Sequence, residues 1–317
     1  LFGDDDFQKT LMIVNTAGWD TDCNSGNVGC FMGIKNGIEG IQKGPDFISP
    51  VNDTLYITSA RGSETMTDAL RESQNIINIR RKLDGLESKV IKNNARYNFE
   101  METSTQGWMV DKANDNNLNT NLSNVEFKSN NGTRALQVSF TDLSFGLSSE
   151  IFVDSFFPEW FTKLEGYQVQ RYFHYDYVAC PLVYTGQKIK TEIVSKSEKD
   201  LRINLFIKYW GEGDKLIKIS SEGHNIKANE NNVIEWNVPD TFSNPIGQMG
   251  ISINSDDNVT GKLLINYLNI SGSPKMTFRR PDHIDEFKRG IFYKEEVYGQ
   301  LWKRAWVNDV DKWQYRH

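Results

Sequence analysis

Cysteine, histidine and proline are all scarce in this chain. Its 317 residues include three Cys, four His and eight Pro. Three cysteines without metal-ligand spacing argue against a disulfide framework and against a zinc site, although they leave the cellular compartment open. The four histidines are scattered without the spacing of a metal site or a catalytic triad. We expect them to be ordinary core or surface residues.

An excess of basic residues and a long apolar run are missing as well. The chain has 36 Lys and Arg against 42 Asp and Glu, which gives a net charge of −6. This balance argues against a nucleic-acid-binding protein, because phosphate recognition needs clustered Lys and Arg. No run of about 18 apolar residues is present, so we expect no membrane span. No signal segment is visible, but the chain starts with Leu1 rather than Met, so localisation stays open between cytoplasmic and secreted or periplasmic.

Aromatic residues, in contrast, are plentiful. They make up 12% of the chain and include eight Trp, which is common in β-rich sugar-binding domains and equally in β-sandwich cores. At about 100–200 residues per domain, the length fits two domains. The composition changes near Lys92, and we predict a helical domain over residues 1–92, a β-sandwich over 93–278, and a linker or the start of a further domain over 279–317.

The first 92 residues are predicted to be helical. One apolar pattern ends near Ala17, and a second begins after Asp22 with glycines at positions 26, 29, 33, 37 and 40. Each glycine weakens a helix by about 1 kcal/mol against alanine. So many glycines make sense where neighbouring backbone must approach very closely, and we therefore expect this second helix to be tightly buried. A third helix is predicted to start at Thr65 and Asp68, which resemble a capping box, and to reach Leu83.

From residue 93 to 278 the chain has short alternating segments separated by Asn, Gly and Ser turns. This pattern predicts an antiparallel β-sandwich, jelly-roll-like and similar to carbohydrate-binding domains, without fixing the strand order. The predicted strands are 134–140, 190–194, 201–209, 233–238, 246–253 and 262–268.

The segment with the most chemical content is AGWDTDCNSGNVG, residues 17–29. Asp20 and Asp22 stand two positions apart just before the glycine-rich helix, and in an extended turn such a pair can converge on one cation. Carboxylate oxygens suit Mg²⁺, Ca²⁺ or Mn²⁺ better than zinc or copper. Taken alone, an Asp-x-Asp pair is also commonly a helix N-cap beside a solvated turn residue.

The wider pattern, with Gly33 and Gly37 after it, resembles the C-terminal signature of the ADP-ribosylglycohydrolase family over about residues 5–85. Residues 172–281 are similar to the segment that follows the glycohydrolase domain in large multidomain members. The resemblance implies an all-α C-terminal piece of that domain. It also implies a binuclear Mg²⁺ or Mn²⁺ centre with Asp20 and Asp22 as ligands.

Three neighbouring residues complete the predicted site. Cys23 stands where the family usually has Thr or Ser, and a neutral thiol is a poor ligand for a hard cation. Cys23 is therefore a weak candidate metal ligand. Asn24 and Ser25 lie next to the site and are candidate substrate contacts or, alternatively, caps of the following helix.

The family's N-terminal motifs, which supply its other metal ligands and its acidic catalytic residue, do not occur in this sequence. The resemblance implies that an N-terminal segment of the same protein, in the same or a separate chain, supplies them, and we expect both ends to be truncated. Our leading hypothesis is a metal-dependent glycohydrolase that cleaves an N- or O-glycosidic bond of an ADP-ribosyl-like or other glycosyl substrate. This chain would supply half of the metal site.

Two other hypotheses stay open. In the first, the sandwich is a carbohydrate-binding module and the helical piece is a non-catalytic scaffold. The aromatic-rich segment 167–184 is then either a platform for stacking sugars or ordinary strand alternation. In the second, the sandwich and the tail brace a catalytic domain, which predicts burial of the aromatic residues in 156–160 and 302–313.

Overall fold

The computed structural model describes most of the chain. It covers residues 2–57, 65–112, 119–129, 131–163, 180–211, 215–242 and 244–275, and the backbone of 306–309 and 312–315. The chain divides into two compact units, residues 1–53 and 54–317, each of which is described by itself. Within the described ranges, no helix combines the length and the apolar character that crossing a membrane would require.

Two helices make up most of the first unit. Helix α1 spans Phe7–Thr16, and its N-cap residue Asp6 accepts a hydrogen bond from the backbone N–H of Lys9 at 2.6 Å. Helix α2 spans Asp22–Ile41 and is interrupted at Gly37, whose φ of 67° favours glycine. The acidic run at residues 4–6 thus serves the start of a helix.

Helix α2 is less buried than its glycines predict. Gly40 is its buried residue, whereas Phe31 is 71% exposed and Ile34 is 79% exposed. A Cβ atom at Gly26 would have no neighbour within 4 Å, and one at Gly29 would lie 3.5 Å from Leu11. The tight burial expected for this helix is therefore not found in the described part of the unit, where α1 packs beside it.

The second unit begins with a small hairpin and a third helix. Strand β1 (Thr54–Tyr56) pairs antiparallel with β2 (Met66–Asp68), and α3 follows over Ala69–Leu83. Asp68 is the N-cap of α3, since its Oδ1 accepts a hydrogen bond from the backbone N–H of Arg71 at 2.9 Å. The third predicted helix is therefore present, but it begins after Asp68 because residues 66–68 are held in the hairpin.

Two antiparallel sheets form the rest of this unit. One has five strands in the order β11-β7-β13-β5-β4, and the other has six in the order β10-β8-β12-β6-β3 with β9 beside β8. The strands are β3 (Met109–Val110), β4 (Thr120–Ser129), β5 (Gly132–Leu143), β6 (Ser148–Asp154), β7 (Lys188–Ser197), β8 (Leu201–Trp210), β9 (Leu216–Ser220), β10 (His224–Ile226), β11 (Asn231–Asn237), β12 (Ile246–Asn254) and β13 (Val259–Ser271). A separate hairpin joins β14 (Trp306–Asp309) to β15 (Lys312–Tyr315).

The hydrophobic core follows the two-residue alternation of the strands. In β8 the odd-numbered residues from Leu201 to Tyr209 belong to the core, and in β12 the core residues are Ile246, Met249, Ile251 and Ile253. The five-stranded sheet contributes Leu136, Val138, Phe140, Ile189, Ile193, Leu263 and Ile265. Because each sheet turns one set of alternate residues inward, the other set is left on its outer face.

A buried lysine lies where β5 leaves β13. Their pairing ends at Leu136 and Ile265, and Tyr97 takes over beside Leu268. In this gap the ammonium group of Lys92 donates hydrogen bonds of 2.6–2.7 Å to three backbone carbonyls and lies 2.7 Å from a carboxylate. The carbonyls belong to Asn98, Arg134 and Asn266, and the carboxylate belongs to Glu100.

The antiparallel β-sandwich predicted for residues 93–278 is confirmed. All six predicted strands are present, most of them a few residues longer than predicted. The all-α piece expected for residues 1–92 does not fit the structure, which has two helices in the first unit and a hairpin with one helix in the second. The predicted domain boundary at residue 92 stays a prediction, although residues 54–92 belong to the same compact unit as the sandwich.

The aromatic residues expected to brace a neighbouring domain are buried at two positions and exposed at a third. Phe156 and Phe157 are buried, with ring centroids 4.7 Å apart, whereas Trp160 is 47% exposed. The side chains of 302–313 and most of the aromatic segment 167–184 lie outside the described residues. The bracing hypothesis requires burial of these aromatic residues against helices, and it stays a prediction.

Candidate functional site

The two predicted metal ligands lie on the surface between α1 and α2. Asp20 is exposed and has a φ of 60°, and Asp22 is the exposed first residue of α2. Oδ1 of Asp22 accepts a hydrogen bond from the backbone N–H of Cys23 at 2.8 Å. Among the residues that the structure describes, no group of three or more His, Cys, Asp or Glu side chains is placed to hold a metal ion.

The other residues of the predicted site are also peripheral. Cys23 and Asn24 are exposed, and the Ser25 hydroxyl donates to the Thr21 carbonyl at 2.7 Å and contacts Asn15 Oδ1. The Ser25 hydroxyl thus donates to the carbonyl of Thr21, which is the N-cap residue of α2 and makes no side-chain capping hydrogen bond. The roles of Asp20, Asp22 and Cys23 as ligands of Mg²⁺ or Mn²⁺ stay predictions, as does substrate contact by Asn24 and Ser25.

A second group of polar side chains lies on the outer face of the six-stranded sheet. We call it the polar sheet face and define it as Glu150, Phe152, Asp154, Asn204, Phe206, Lys208, Lys218, Gln248, Gly250 and Ser252. All occupy the alternate positions of β6, β8, β9 and β12 that the core does not use. Strand pairing therefore arranges them in three rows across the sheet.

An aromatic row lies at the centre of this face. Gly250 stands opposite Phe152 on one neighbouring strand and opposite Phe206 on the other. A Cβ atom at Gly250 would lie 2.2 Å from Cζ of Phe206 and 2.4 Å from the Ile151 carbonyl oxygen. The glycine therefore leaves room for the ring of Phe206 to lie across β12, with Phe206 buried and Phe152 partly exposed.

A polar row flanks the aromatic row on each side. In one, Ser252 stands between Glu150 and Asn204. In the other, Gln248 stands between Asp154 and Lys208. Amide, hydroxyl and carboxylate groups thus lie on both sides of the rings, on strands that the sheet holds rigid.

Two ion pairs neutralise the lysines of this face. Lys218 pairs with Glu150, and Lys208 pairs with Asp111 at 2.9 Å. Both ammonium groups also lie near aromatic rings: Nζ of Lys218 is 4.3 Å from the ring centroid of Phe206, and Nζ of Lys208 is 5.5 Å from that of Phe152. A cation over an aromatic ring is an attractive arrangement, so these pairs fix the lysines beside the aromatic row.

Asp154 and Gln248 differ from these pairs. Gln248 Nε2 donates to Asp154 Oδ1 at 3.0 Å, and Gln248 Oε1 is buried without a hydrogen-bond partner among the described residues. Burial raises the pKa of Asp154 to about 6, and Glu159 adds to the rise, while the Gln248 hydrogen bond and Lys208 oppose it. A buried polar atom without a partner is costly and calls for a physical explanation, such as an ordered water or a ligand.

Neutralising Asp154 should stabilise the protein at neutral pH. The carboxyl has a folded-state pKa of about 6 against an ordinary value of 3.8, so its contribution to stability is present below about pH 4 and is lost as the pH rises through 6. We expect Asp154→Asn to raise the free energy of unfolding by on the order of 1–2 kcal/mol at pH 7.5, with little change near pH 4. Urea denaturation at both pH values measures the difference.

The control for this experiment is Glu235→Gln on the outer face of the other sheet. Hydrogen bonds from Lys188 and Lys190 lower the pKa of Glu235 to about 2, so its ionised form is favoured in the folded protein. The Glu235 variant should therefore gain no stability at pH 7.5. A gain for Asp154→Asn that is equal at both pH values would contradict the assignment to its charge.

The outer face of the five-stranded sheet has a different character. Its centre is a small apolar cluster of Ala135, Val194 and Leu264, with Val125 and Phe127 packed against it. Around it stand exposed ion pairs, such as Lys188 with Glu235. Charged pairs on an exposed surface contribute little, and this face offers no row of polar groups beside aromatic rings.

Sequence reasoning missed the polar sheet face, although one signal for it was visible. Strand β8 was predicted as Leu201–Tyr209, and its alternate positions include Phe206 and Lys208. These two positions lie on the side of β8 that the core does not use. Strand β6, which supplies Glu150, Phe152 and Asp154, was not among the predicted strands.

The second unit is thus defined as an antiparallel β-sandwich with one aromatic and polar outer face. No family model matches the chain, and no curated protein matches it either. Similar solved structures include one from work on carbohydrate-binding modules of the β-sandwich superfamily, at 16% identity and a TM-score of 0.41. That match covers 59% of this chain and 65% of the other.

Two further similar structures are xylan-binding domains. The CBM22-1 xylan-binding domain of Paenibacillus barcinonensis Xyn10C is 10% identical with a TM-score of 0.37, covering 56% of this chain and 93% of its own. A xylan-binding domain from CBM 22 is 10% identical with a TM-score of 0.36, covering 57% of this chain and 95% of its own. These likenesses concern the sandwich fold.

The prediction that this chain is a hydrolase is wrong. The three solved structures named above, to which the chain is similar, are carbohydrate-binding or xylan-binding modules. What stands from the sequence-based hypotheses is the antiparallel β-sandwich. The resemblance of the first helices to ADP-ribosylglycohydrolases stays a prediction about sequence alone.

Proposed function

We propose that the second unit is a carbohydrate-binding module whose ligand lies on the polar sheet face. The single observation that carries this proposal is the arrangement of three rows, in which the partly exposed Phe152 beside the buried Phe206 lies between Glu150, Ser252 and Asn204 on one side and Asp154, Gln248 and Lys208 on the other. A sugar ring has apolar C–H faces and a rim of hydroxyls. An aromatic row flanked by hydrogen-bonding groups matches both parts.

The support comes from the chemistry of the groups as well as from their positions. Aromatic rings provide a large contact area at low entropic cost because they have few rotatable bonds. The polar groups are held by ion pairs and hydrogen bonds on a sheet, so little freedom remains to be lost on binding. The helices of the first unit have no part in this proposal, and an upstream segment and a metal ion remain separate predictions.

The test is a binding assay with soluble polysaccharides. Affinity electrophoresis and calorimetry with xylan, mixed-linkage glucan, mannan and galactan should reveal binding to at least one of them. Phe152→Ala should weaken that binding tenfold or more, because truncating an aromatic contact at the centre of a site typically costs over 1 kcal/mol. Absence of binding to every polysaccharide would contradict the proposal.

A matched control comes from the other sheet. Phe127 is also a partly buried phenylalanine on an outer sheet face, but it packs on the apolar cluster of the five-stranded sheet. Phe127→Ala should leave the affinity unchanged. Equal losses in the two variants would assign the effect to general loosening of the sandwich rather than to the polar sheet face.

A further inference from the structure

We infer that Asp154, held by Gln248, forms a hydrogen-bond-accepting subsite that selects uncharged, hydroxyl-rich polysaccharide over glycans bearing carboxylate or sulfate. This inference rests on the proposed function and names the ligand class of the same face. It follows from which groups of the face already have partners among the described residues and which are left to meet a ligand.

The cations of the face are already paired. Lys208 lies 2.9 Å from Asp111, and Lys218 is paired with Glu150, whose Oε1 also accepts from Ser252 at 3.2 Å. Binding an anionic sugar through either lysine would require breaking one of these pairs and leaving its carboxylate without a cation. An uncompensated carboxylate on a partly buried face is costly, so the lysines are poor anion receptors.

The groups that remain are acceptors. Asp154 is partly exposed, its Oδ1 accepts from Gln248 at 3.0 Å, and its charge has no salt-bridge partner within 4.0 Å in the described part of the chain. Gln248 itself is buried and holds the carboxylate in place through its Nε2. A ligand that meets the Asp154 carboxylate must donate hydrogen bonds, which a sugar hydroxyl does and a carboxylate or sulfate does not.

The charge of Asp154 strengthens this selection. A hydrogen bond to an ionised carboxylate is roughly twice as strong as one to a neutral acceptor, so a hydroxyl gains from the charge. A uronic acid or sulfate group placed beside the same carboxylate meets like-charge repulsion instead. The two effects act in the same direction and should separate neutral from acidic glycans by at least tenfold.

The subsite should also make binding depend on pH. The pKa of Asp154 is about 6, and the charged groups that face it are Glu159, which raises that pKa, and Lys208, which lowers it; Tyr97 also senses the Asp154 charge. Lysine and tyrosine side chains ordinarily ionise far above this range. Affinity should therefore rise by roughly five- to tenfold between pH 5 and pH 7.5 as Asp154 ionises, and Glu159→Gln should shift this rise to lower pH.

The experiment uses pairs of polysaccharides that differ in charge. Hydroxyethyl cellulose is compared with carboxymethyl cellulose, and arabinoxylan with glucuronoxylan, by calorimetry at pH 5 and pH 7.5 on the full chain. The neutral member of a bound pair should bind at least tenfold more tightly. Asp154→Asn should weaken neutral binding several-fold at pH 7.5 and abolish the pH dependence, while Glu235→Gln on the other sheet should change neither.

The outcomes separate the inference from the proposed function. Equal or tighter binding of the acidic members, or a pH dependence that survives in Asp154→Asn, would overturn the inference while Phe152-dependent binding still supported the carbohydrate-binding module. Failure of every polysaccharide to bind would overturn both. Near-identical far-ultraviolet circular dichroism of the variants shows that any loss arises in a folded protein.

Discussion

Replacing Lys92 with methionine should lower the free energy of unfolding by about 3–5 kcal/mol, the largest stability effect expected from any single substitution described here. Methionine keeps the length of the side chain and removes its charge. The loss should appear as a lower urea midpoint with an unchanged denaturant slope, since the sandwich still unfolds as one unit.

The size of this effect follows from what the ammonium group satisfies. The Lys92 side chain is fully buried and donates to the carbonyls of Asn98, Arg134 and Asn266, with Glu100 Oε1 at 2.7 Å. The carbonyls of Arg134 and Asn266 lie beyond the last pair of β5 and β13, Leu136 with Ile265. Removing Lys92 leaves polar groups buried without partners, each costing roughly 1–3 kcal/mol before relaxation.

The matched control is Lys199→Met. Lys199 forms an ion pair with Asp257 at 3.2 Å, but its side chain is 53% exposed, and that of Asp257 is 63% exposed. Exposed pairs contribute about 0–1 kcal/mol, so the control should lose less than 1 kcal/mol. Comparable losses in the two lysine variants would contradict the role of Lys92 at the sheet junction. Glu100→Gln should fall between them, because an amide still accepts from Lys92.

Removing the carboxylate of Asp68 should give the second large effect, a loss of about 3 kcal/mol in Asp68→Ala. Its Oδ1 accepts from the backbone N–H of Arg71 at 2.9 Å and from Gln106 Nε2 at 3.0 Å, and its Oδ2 pairs with Arg96. One buried carboxylate thus caps α3 and neutralises a guanidinium that stacks 4.5 Å from the ring centroid of Tyr97. Alanine would leave the arginine charge uncompensated.

Asparagine at the same position separates the two roles. Asn is a good N-cap, so Asp68→Asn should retain the helix start and lose mainly the interaction with Arg96. We expect it to cost about half as much as Asp68→Ala. A double-mutant cycle with Arg96→Met measures the coupling directly, and a coupling below 0.5 kcal/mol would contradict this account.

A control for the Asp68 series lies at the other end of α3. Asp84 pairs with Arg80 at 2.8 Å across one turn, and the Arg80 side chain is 74% exposed. Pairs of this kind stabilise by about 0.3–0.5 kcal/mol. Asp84→Ala should therefore be nearly neutral, although it too removes an aspartate at an end of the same helix.

Much of the sandwich could be predicted because the order of apolar and polar residues within a strand indicates which side of that strand faces the core. In β8, alternation of apolar and other residues from Leu201 to Tyr209 reveals which side faces the core. The N-cap residues Asp6 and Asp68 were likewise open to prediction, since a cap acts on a backbone N–H a few residues further along. Such features depend on neighbours within one turn or one strand.

The interpretation of residues 17–29 as part of a metal site extends beyond this local range, and it stays a prediction. The pair Asp20 and Asp22 precedes a helix as predicted, and both side chains are exposed. The metal-site hypothesis needs further ligands from sequence far away, and the described residues bring no such group together. A short motif determines the conformation of its own backbone, whereas an active site also needs side chains that the fold brings from distant parts of the chain.

By itself, then, the sequence determined six of the strands, three helical segments, and which side of those strands is apolar. Only the tertiary structure decided that Asp154, Gln248 and Lys208 form one row and that Lys92 lies among three carbonyls. The physical reason is that strand pairing joins backbone groups far apart in the chain. The alternation of apolar and polar residues within a strand is the same whichever strand pairs with it. The packing of the whole sandwich therefore determines which strands become neighbours.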